Sequence, residues 1–311
     1  MLDNSNILEQ YLTDAEDEGR LTFRVDLPLS TVTTFKIGGA ASYGIYPSSI
    51  DELSSLCALC RSISVPFYIV GNGSNLVFDD TGYEGAVIFT TAINTVTINE
   101  NTVYSDCGVS LTHLSSLVAK EGLSGLEFAY GIPGSVGGAV YMNAGAYGGE
   151  MKDVVKEVTF YDIKNDEFVT VENDKCAFDY RTSVFQSGDK IILSVKLKLL
   201  SDDRELITAR MNQYMQSRKD KQPLNYPSAG SVFKRYPGYF TGKLIEEAGL
   251  KGYTIGGAQV SEKHAGFIVN IGNATSADLK ALIQYIKAVI KENVGIDIEC
   301  EVKFVPNPAQ K

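Results

Sequence analysis

Seven of the nineteen residues from 131 to 149, in the run GIPGSVGGAVYMNAGAYGGE, are glycine. Glycine loses more conformational freedom on ordering than any other residue. A run this dense is therefore either a flexible linker or a segment whose backbone must approach something closely. Ile132, Val136, Val140, Tyr141 and Met142 are interleaved with the glycines, and apolar side chains of that size are wrong for a solvated linker. The remaining reading is an ordered loop that brings main-chain N–H groups against a large flat or anionic ligand. A shorter loop, GNGSNLV (71–77), directly follows the buried-strand pattern FYIV (67–70). It approximates G-x-G-x-x-G, but Leu76 stands where the third glycine would be, and FDDTGYEG after it reads as a turn. A dinucleotide fingerprint needs a helix at that point to receive the pyrophosphate, so that fingerprint is excluded. Backbone donors with Ser74 and Asn75 beside them can still cradle a diphosphate as a nest; a plain turn is the alternative.

Around these loops the pattern is mixed. SIDELSSLCALCRSI (49–63) predicts a helix, with Ser49 as N-cap and Asp51 and Glu52 in its first turn. SLTHLSSLVAKEG (110–122) predicts another, with Leu111, Leu114, Leu117 and Val118 on one face and Gly122 as its stop. AVIF (86–89) and TVTI (95–98) read as strands. VVKEVTFYD and EFVTVEN, separated by a polar turn, read as a hairpin, and KIILSVKLKLL alternates with Ile191, Leu193, Val195, Leu197 and Leu199 inward. After residue 200 come a helix (RELITARMNQYMQSRK), a stretch punctuated by Pro and Gly, a periodic helix (SADLKALIQYIKAVIKENVG) and a last alternating strand, IDIECEVKFV. A boundary is expected near 215–220.

Charge and cysteine use narrow the function classes. The 38 acidic and 28 basic residues give a formal net charge of −10, which disfavours a non-specific nucleic-acid binder. No stretch approaches a membrane span, and the polar, acidic N-terminus lacks the features of a signal peptide, so a cytoplasmic protein is expected. From 210 to 264, however, nine Lys/Arg face four acids, a local +5 against −15 elsewhere. That local field suits either an anionic ligand or a solvated basic face. Five cysteines form no disulfide framework. Cys57 and Cys60 make a CxxC inside a helix, with no second pair to complete a metal site, so packing is the expectation and no metal is called for.

Other templates fail. GYFTGKL (238–244) has three residues between its glycines, so it is not a P-loop. With His113 and His264 as the two histidines and no G-x-S-x-G, a Ser-His-Asp triad has little support. Arg181 in DYRTSVF, Ser231 in SAGSVFKR and Glu301 in ECEVKF remain as chemical candidates. Each also has an ordinary reading: a loop ion pair, a turn cap, a solvated edge charge.

The blocks TTFKIGGAA (33–41), GNGSNL (71–76), GIPGSVGGAVYMNAGAYGGE (131–150), YRTSVF (180–185), AGSVFKR (229–235) and CEVKF (300–304) together resemble the UDP-N-acetylenolpyruvoylglucosamine reductases. The resemblance implies an α+β chain: a vanillyl-alcohol-oxidase-type FAD-binding fold of two subdomains, 1–92 (with 298–311 returning to it) and 93–218, plus an α+β substrate-binding domain, 219–297. The FKR after Val232 and the short spacing resemble the family's second type, which lacks an inserted tyrosine loop. Two departures stand out: Cys300 precedes the glutamate where the family often has Pro, and Arg235 stands where the first type has Asn.

The implied function is NADPH-dependent reduction, through FAD, of the enolpyruvyl ether of UDP-N-acetylglucosamine-enolpyruvate to UDP-N-acetylmuramate. That is a cytoplasmic step of peptidoglycan precursor synthesis, and hence of cell-wall biogenesis, cell shape and division. By motif, Ser231 is the proton donor, Arg181 the partner of the substrate carboxylate and Glu301 the supporting acid. The FAD ligands fall on Gly71, Asn72, Gly73, Ser74, Asn75, Gly131, Gly134, Ser135, Gly137, Gly138, Asn143, Gly145 and Ala146. The FAD is expected to be non-covalent, because neither histidine lies in a glycine-rich block. The +5 region nominates Lys221, Lys234, Arg235, Lys243 and His264 for the sugar nucleotide. Expected partners are that substrate and NADPH, with no nucleic acid and no membrane insertion. Two rival readings are another non-covalent FAD oxidoreductase of the same fold and a non-catalytic UDP-sugar-binding protein.

Overall fold

Capping residues set the ends of the helices that periodicity predicts. Ser49 accepts from the Glu52 N–H at the start of the helix Ile50–Ser62, and Ser110 accepts from the His113 N–H ahead of Leu111–Lys120. Such caps contribute about 1 kcal/mol each. The long C-terminal helix Ser276–Val294 begins on a reciprocal box between Thr275 and Asp278 and ends on left-handed Gly295. This computed structural model describes residues 4–310; residues 1–3, within the acidic N-terminal segment, and residue 311, at the end of the expected returning segment, lie outside the described residues.

The chain forms two units, and each has its own apolar interior. The first takes the residues up to Val25, then Ser42–Asn72 and Gly85–Gln216. One of its sheets runs in the order Leu21–Pro28, Ala40–Pro47, Tyr83–Phe89, Phe67–Val70, with the last two strands parallel. Leu8, Leu12, Leu53, Leu56, Cys57 and Cys60 are fully buried among the side chains that cover it. Burial pushes the Cys60 thiol up to about 12 and Cys57 well above its ordinary value, so both are inert thiols that pack like small hydrophobes.

The other sheet is antiparallel, in the order Glu167–Glu172, Val155–Asp162, Lys190–Lys198, Thr102–Asp106, Val96–Asn99. The expected hairpin is its edge, pairing Glu157 with Glu172 through Asp162 with Glu167. Ile191, Leu193, Val195, Leu197 and Leu199 are all buried but do not share one face as expected. Ile191 and Leu193 pack in the cluster with Leu8 and Ile88, while Ile192, Val195, Leu197 and Leu199 pack in the one with Leu114 and Val140. The register shift between Thr159 and Phe160 on the neighbouring strand falls where the face changes.

The second unit takes Asp26–Ala41, Gly73–Glu84 and Ser217–Lys311. A three-stranded antiparallel sheet, Thr254–Ile255, Ala258–Val260 and Ile268–Asn270, packs with Leu279, Leu282, Ile283, Ile286 and Ile290 of the C-terminal helix. Both carboxylate oxygens of Asp80 accept from the first N–H groups of that helix, Ser276 and Ala277, at 2.7 and 2.9 Å, where a negative charge is favoured.

The last strand departs from expectation. Only Lys303–Val305 is regular, running parallel to Leu76–Phe78. The alternation upstream is real, since Ile296, Ile298 and Val302 are buried. There, however, the backbone meets its neighbour at single points, such as the Phe233–Cys300 bridge, so burial periodicity appears without a continuous ladder. Among the described residues no helix is long and apolar enough to cross a membrane, and no group of His, Cys, Asp or Glu is arranged to hold a metal ion.

Candidate active site

In the first unit the glycine-dense run folds into a turn, the short helix Val136–Tyr141 and a hairpin that pairs Gly145–Ala146 with Gly149–Glu150. Several of its glycines answer the chain's own packing. A Cβ on Gly137 would lie 2.9 Å from Cys107 Cβ, and one on Gly149 would lie 2.6 Å from the Phe128 ring. A Cβ on Gly71 would meet Ser135 Oγ at 2.1 Å. Part of the glycine density thus serves close packing of the backbone against the chain's own side chains, which in sequence looks the same as ligand approach. Other groups are turned to a different use. Ser135 caps the short helix through Gly138 N–H at 3.2 Å, and Gly131 N–H is held by Thr112 Oγ1 at 3.3 Å. The N–H groups of Asn72, Gly134 and Ser135 have no acceptor among the described residues. Main-chain donors left this way are what a diphosphate takes up.

Asn143 anchors the run from inside. It is fully buried and stands in the left-handed region at φ +42°. Its amide donates to Glu150 Oε2 at 2.8 Å and to the Asp179 carbonyl at 3.1 Å, and its Oδ1 accepts from Lys152 N–H. With its side chain engaged on protein, it acts on the loop's shape. Arg181 follows in the connected loop, also left-handed at φ +55°. Its Nη2 donates to the Gly145 carbonyl at 3.1 Å, and its guanidinium lies 5.2 Å from the centre of the Tyr180 ring. Gln186 donates to the Arg181 and Tyr141 carbonyls, each at 3.0 Å. A non-glycine residue in this backbone region costs about 1–3 kcal/mol and persists only where surroundings over-determine it. The Asn143 and Gln186 bonds supply that determination.

In the second unit Ser231 opens a short extended strip. Val232 N–H donates to the Gly266 carbonyl at 2.9 Å, Glu301 N–H to the Val232 carbonyl at 2.7 Å, and Lys234 N–H to the Glu299 carbonyl at 2.9 Å. The strip therefore carries the chain on either side of it, Ser231 bridging Phe267 and Phe233 bridging Cys300. Asn75 joins the same neighbourhood: its Nδ2 donates to the Glu301 carbonyl at 3.3 Å and its own carbonyl accepts from Lys303 N–H. Gly73 is left-handed at φ +60°, and a Cβ there would lie 2.8 Å from the Val32 carbonyl. The N–H groups of 73–75 have no acceptor among the described residues.

Ser231 Oγ reaches the Gly266 carbonyl at 3.4 Å, a long and weak bond. His264 sits close by. Its Nδ1 accepts from Gly266 N–H at 3.0 Å, which leaves the ring proton of the neutral form on Nε2. Burial lowers its pKa, with Lys251 acting in the same direction, so the ring is neutral at pH 7. A Cβ on Gly266 would fall 3.0 Å from His264 Cε1 and 3.4 Å from Ser231 Oγ. Gly266 escaped the sequence reading, and the only signal was a glycine inside the apolar run HAGFIV.

The structure thus gathers Ser231, Glu301, Asn75 and His264 in the second unit, and Arg181, Asn143 and Gly145 in the first. The basic candidates are spread through the second unit. Lys234 pairs with Glu299 at 3.0 Å and Lys243 with Glu247 at 3.6 Å; Arg235 lies over Phe240, and Lys221 ends its helix exposed. Exposed pairs contribute about 0–1 kcal/mol, so exchanging a carboxylate for an anionic ligand would cost little.

Comparison with known proteins gives two matching family models. One, described as an FAD binding domain, matches residues 28–172, and the other, described as the C-terminal domain of UDP-N-acetylenolpyruvoylglucosamine reductase, matches 222–305. A relative of that name from Caldanaerobacter subterraneus subsp. tengcongensis is 45% identical over 301 residues, covering 97% of this chain and 99% of its own. One from Listeria monocytogenes serovar 1/2a is 42% identical, covering 92% and 95%. The crystal structure of UDP-N-acetylenolpyruvylglucosamine reductase from Thermus caldophilus matches with a TM-score of 0.78 at 34% identity, covering 92% of this chain and 99% of that one.

Proposed function

The chain belongs to the UDP-N-acetylenolpyruvoylglucosamine reductase family, and from that premise we propose how its residues divide the work of reducing UDP-N-acetylglucosamine-enolpyruvate to UDP-N-acetylmuramate. The enzyme is an FAD-dependent oxidoreductase with NADPH as co-substrate, and it serves peptidoglycan precursor synthesis. The substrate is a water-soluble nucleotide sugar, and we place the protein in the cytoplasm.

The residues present fit FAD. In the first unit the unpartnered N–H groups of Asn72, Gly134 and Ser135, and in the second those of 73–75, are donors of the kind a diphosphate requires. Gly131, Gly137, Gly138, Asn143, Gly145 and Ala146 shape the loop that presents the first set. When bound, FAD supplies the hydride chemistry that links NADPH to C3 of the enolpyruvyl group; the attachment is non-covalent. Our three-part division keeps 1–92 with 298–311, 93–218 and 219–297. Three apolar clusters support the number of bodies, one centred on Leu8, Leu56 and Ile88, one on Leu114, Val140 and Leu197, and one on Val232, Leu282 and Ile286. They do not support all the bounds: Phe35, Ile37, Val77, Ile298 and Val302 pack in the third cluster, and 26–41, 73–84 and the segment from 298 fall in the second unit.

The chain's own residues act at the three-carbon unit. Arg181 pairs with the substrate carboxylate, where charge spreads as hydride arrives at C3. A guanidinium fixed there stabilises that charge more in the transition state than in the ground state. Ser231 Oγ–H gives its proton to C2. Its weak bond to the Gly266 carbonyl leaves the hydroxyl able to turn toward a carbon acceptor. Glu301 orients or polarises the developing enolate. Lys221, Lys234, Arg235, Lys243 and His264 include the ligands of the nucleotide diphosphate.

The observation that carries this reading is the direct coupling of the Ser231 strip to the Glu301 segment through a 2.7 Å main-chain bond, with Asn75 bonded to the same residue. The test is a visible spectrum of the purified protein followed by stopped-flow half-reactions. Oxidised-flavin bands, bleaching by NADPH and recovery on adding the enolpyruvyl substrate are expected. Protein that stays colourless with added FAD overturns the reading, and flavin that stays attached through acid precipitation overturns the non-covalent assignment.

A further inference from the structure

The tip of the Gly145–Glu150 hairpin holds a residue that does not suit it. Ala146 pairs with Gly149, so the turn consists of Tyr147 and Gly148, with φ +53° and +89°. Two-residue turns with positive φ at both positions favour Asn, Asp or Gly at the first, and a bulky residue there is an outlier. Something must hold Tyr147 in place. Its ring stacks on that of Tyr214, with centroids 4.5 Å apart and planes 1° from parallel, and its hydroxyl donates to the Tyr214 carbonyl at 3.1 Å. Tyr214 belongs to the helix Arg204–Lys221, sixty-seven residues along the chain.

At the base of the same hairpin, the Gly145 carbonyl accepts from Arg181 Nη2. A guanidinium is planar, so fixing one of its nitrogens restricts the plane of the whole group. The hairpin is therefore tied at its tip to a helix and at its base to the guanidinium. We propose that the Tyr147–Tyr214 clasp is a positioning device for Arg181: by fixing the hairpin it fixes the Gly145 carbonyl, and through that carbonyl the orientation of the guanidinium toward the substrate carboxylate. Tyr214 touches no reacting atom and acts through Tyr147 and Gly145. The inference rests on the assignment of Arg181 made above.

Stopped-flow measurement of the two half-reactions tests it in the FAD-loaded enzyme, with four variants. Tyr214→Ala removes the stacking ring. Tyr214→Phe keeps the ring and the main-chain acceptor. Tyr147→Phe removes only the donated bond, and Arg181→Lys removes the planar fork. Displacement of a positioning group can cost about 10²-fold. Reoxidation by the enolpyruvyl substrate should slow by that order in Tyr214→Ala and less in Tyr147→Phe, and stay near wild type in Tyr214→Phe, while flavin reduction by NADPH holds its rate in all three. Should Tyr214→Ala fail to fold, Tyr147→Phe carries the same comparison. If the clasp variants reoxidise at the wild-type rate while Arg181→Lys is slow, the clasp is ornamental and the proposal fails alone. If Arg181→Lys is also fast, the Arg181 assignment fails and takes the clasp with it. Equal slowing of both half-reactions overturns the proposal in favour of a general role in folding.

Discussion

Arg181 stands on left-handed backbone, tied to its surroundings by named side chains, whereas Ser231 stands in an extended strip carried by main-chain pairing on both flanks. The first arrangement depends on particular side chains: the Asn143 and Gln186 amides and the Arg181 guanidinium each donate to a main-chain carbonyl, of Asp179, Arg181 and Gly145 respectively. The second depends on backbone direction, because Val232, Lys234 and Glu301 use N–H and C=O groups that any non-proline residue carries. A site held by side chains is vulnerable to substitution at its supports. A site held by backbone is vulnerable mainly at the residue itself and wherever space is tight.

Four measurements would break or sharpen that contrast. The largest effect is expected at Ser231 itself. Ser231→Ala should fold and bind FAD normally and be reduced by NADPH near the wild-type rate, while reoxidation by substrate falls roughly 10²–10⁴-fold, the usual loss for a positioned general acid. Ser231→Cys should keep more activity. Wild-type reoxidation in the Ala variant would reduce Ser231 to a turn residue.

Next comes Gly266, the tight point of the backbone-held region. Gly266→Ala puts a methyl group about 3 Å from the His264 ring, closer than carbon contacts normally come. Reoxidation should slow by up to about 10²-fold, with less change in flavin reduction. Unchanged half-reaction rates would mean that the His264 ring moves aside and has no hold on Ser231.

Asn143→Ala probes the side-chain-held region. It strips a fully buried amide from Glu150, Asp179 and Lys152 and places alanine at positive φ. A loss of about 2–4 kcal/mol is expected, read as a lowered midpoint in denaturant. A midpoint within error of wild type would remove Asn143 from the anchor.

The smallest effect is in pH dependence, where the two units should part company. The lowered pKa of His264 means that the unfolded chain binds that proton more readily. Its contribution to the second unit's stability is therefore present above about pH 6.5 and lost as pH falls below it. In the first unit burial would raise Glu127, but the Gly125 N–H and Arg210 outweigh it and hold the carboxyl below its ordinary value. That contribution is present above about pH 4.3 and fades only in more acid solution. Hydrogen exchange at pH 7.5, 5.5 and 4 should show the region around 260–270 loosening first and the region around 123–130 later. Simultaneous loss of protection would refute the separation.

Much of this was legible in the chain. The Ser49 and Ser110 caps, the Val155–Glu172 hairpin, the alternation of 195–199 and the face of the C-terminal helix follow from propensity and period, which act over a few residues. The motif blocks also singled out Ser231, Arg181 and Glu301. What remained hidden lies in contacts of long sequence separation: Asn75 with Glu301, Asp80 on the helix at 276, and Tyr147 on Tyr214. A glycine required by a ligand and a glycine required by Cys107 or Phe128 also look alike in sequence.

The sequence by itself determined the local elements, the charge balance and the set of chemically capable residues, because side-chain identity and short-range backbone preference are properties of the residues alone. Only the tertiary structure decided that the final alternating run pairs as a strip rather than a full strand, that Asn143 points inward to hold a loop, and that His264 shares Gly266 with Ser231. Those outcomes turn on which segments meet. That is settled by burying apolar faces together across the whole chain, a condition no local window of sequence contains.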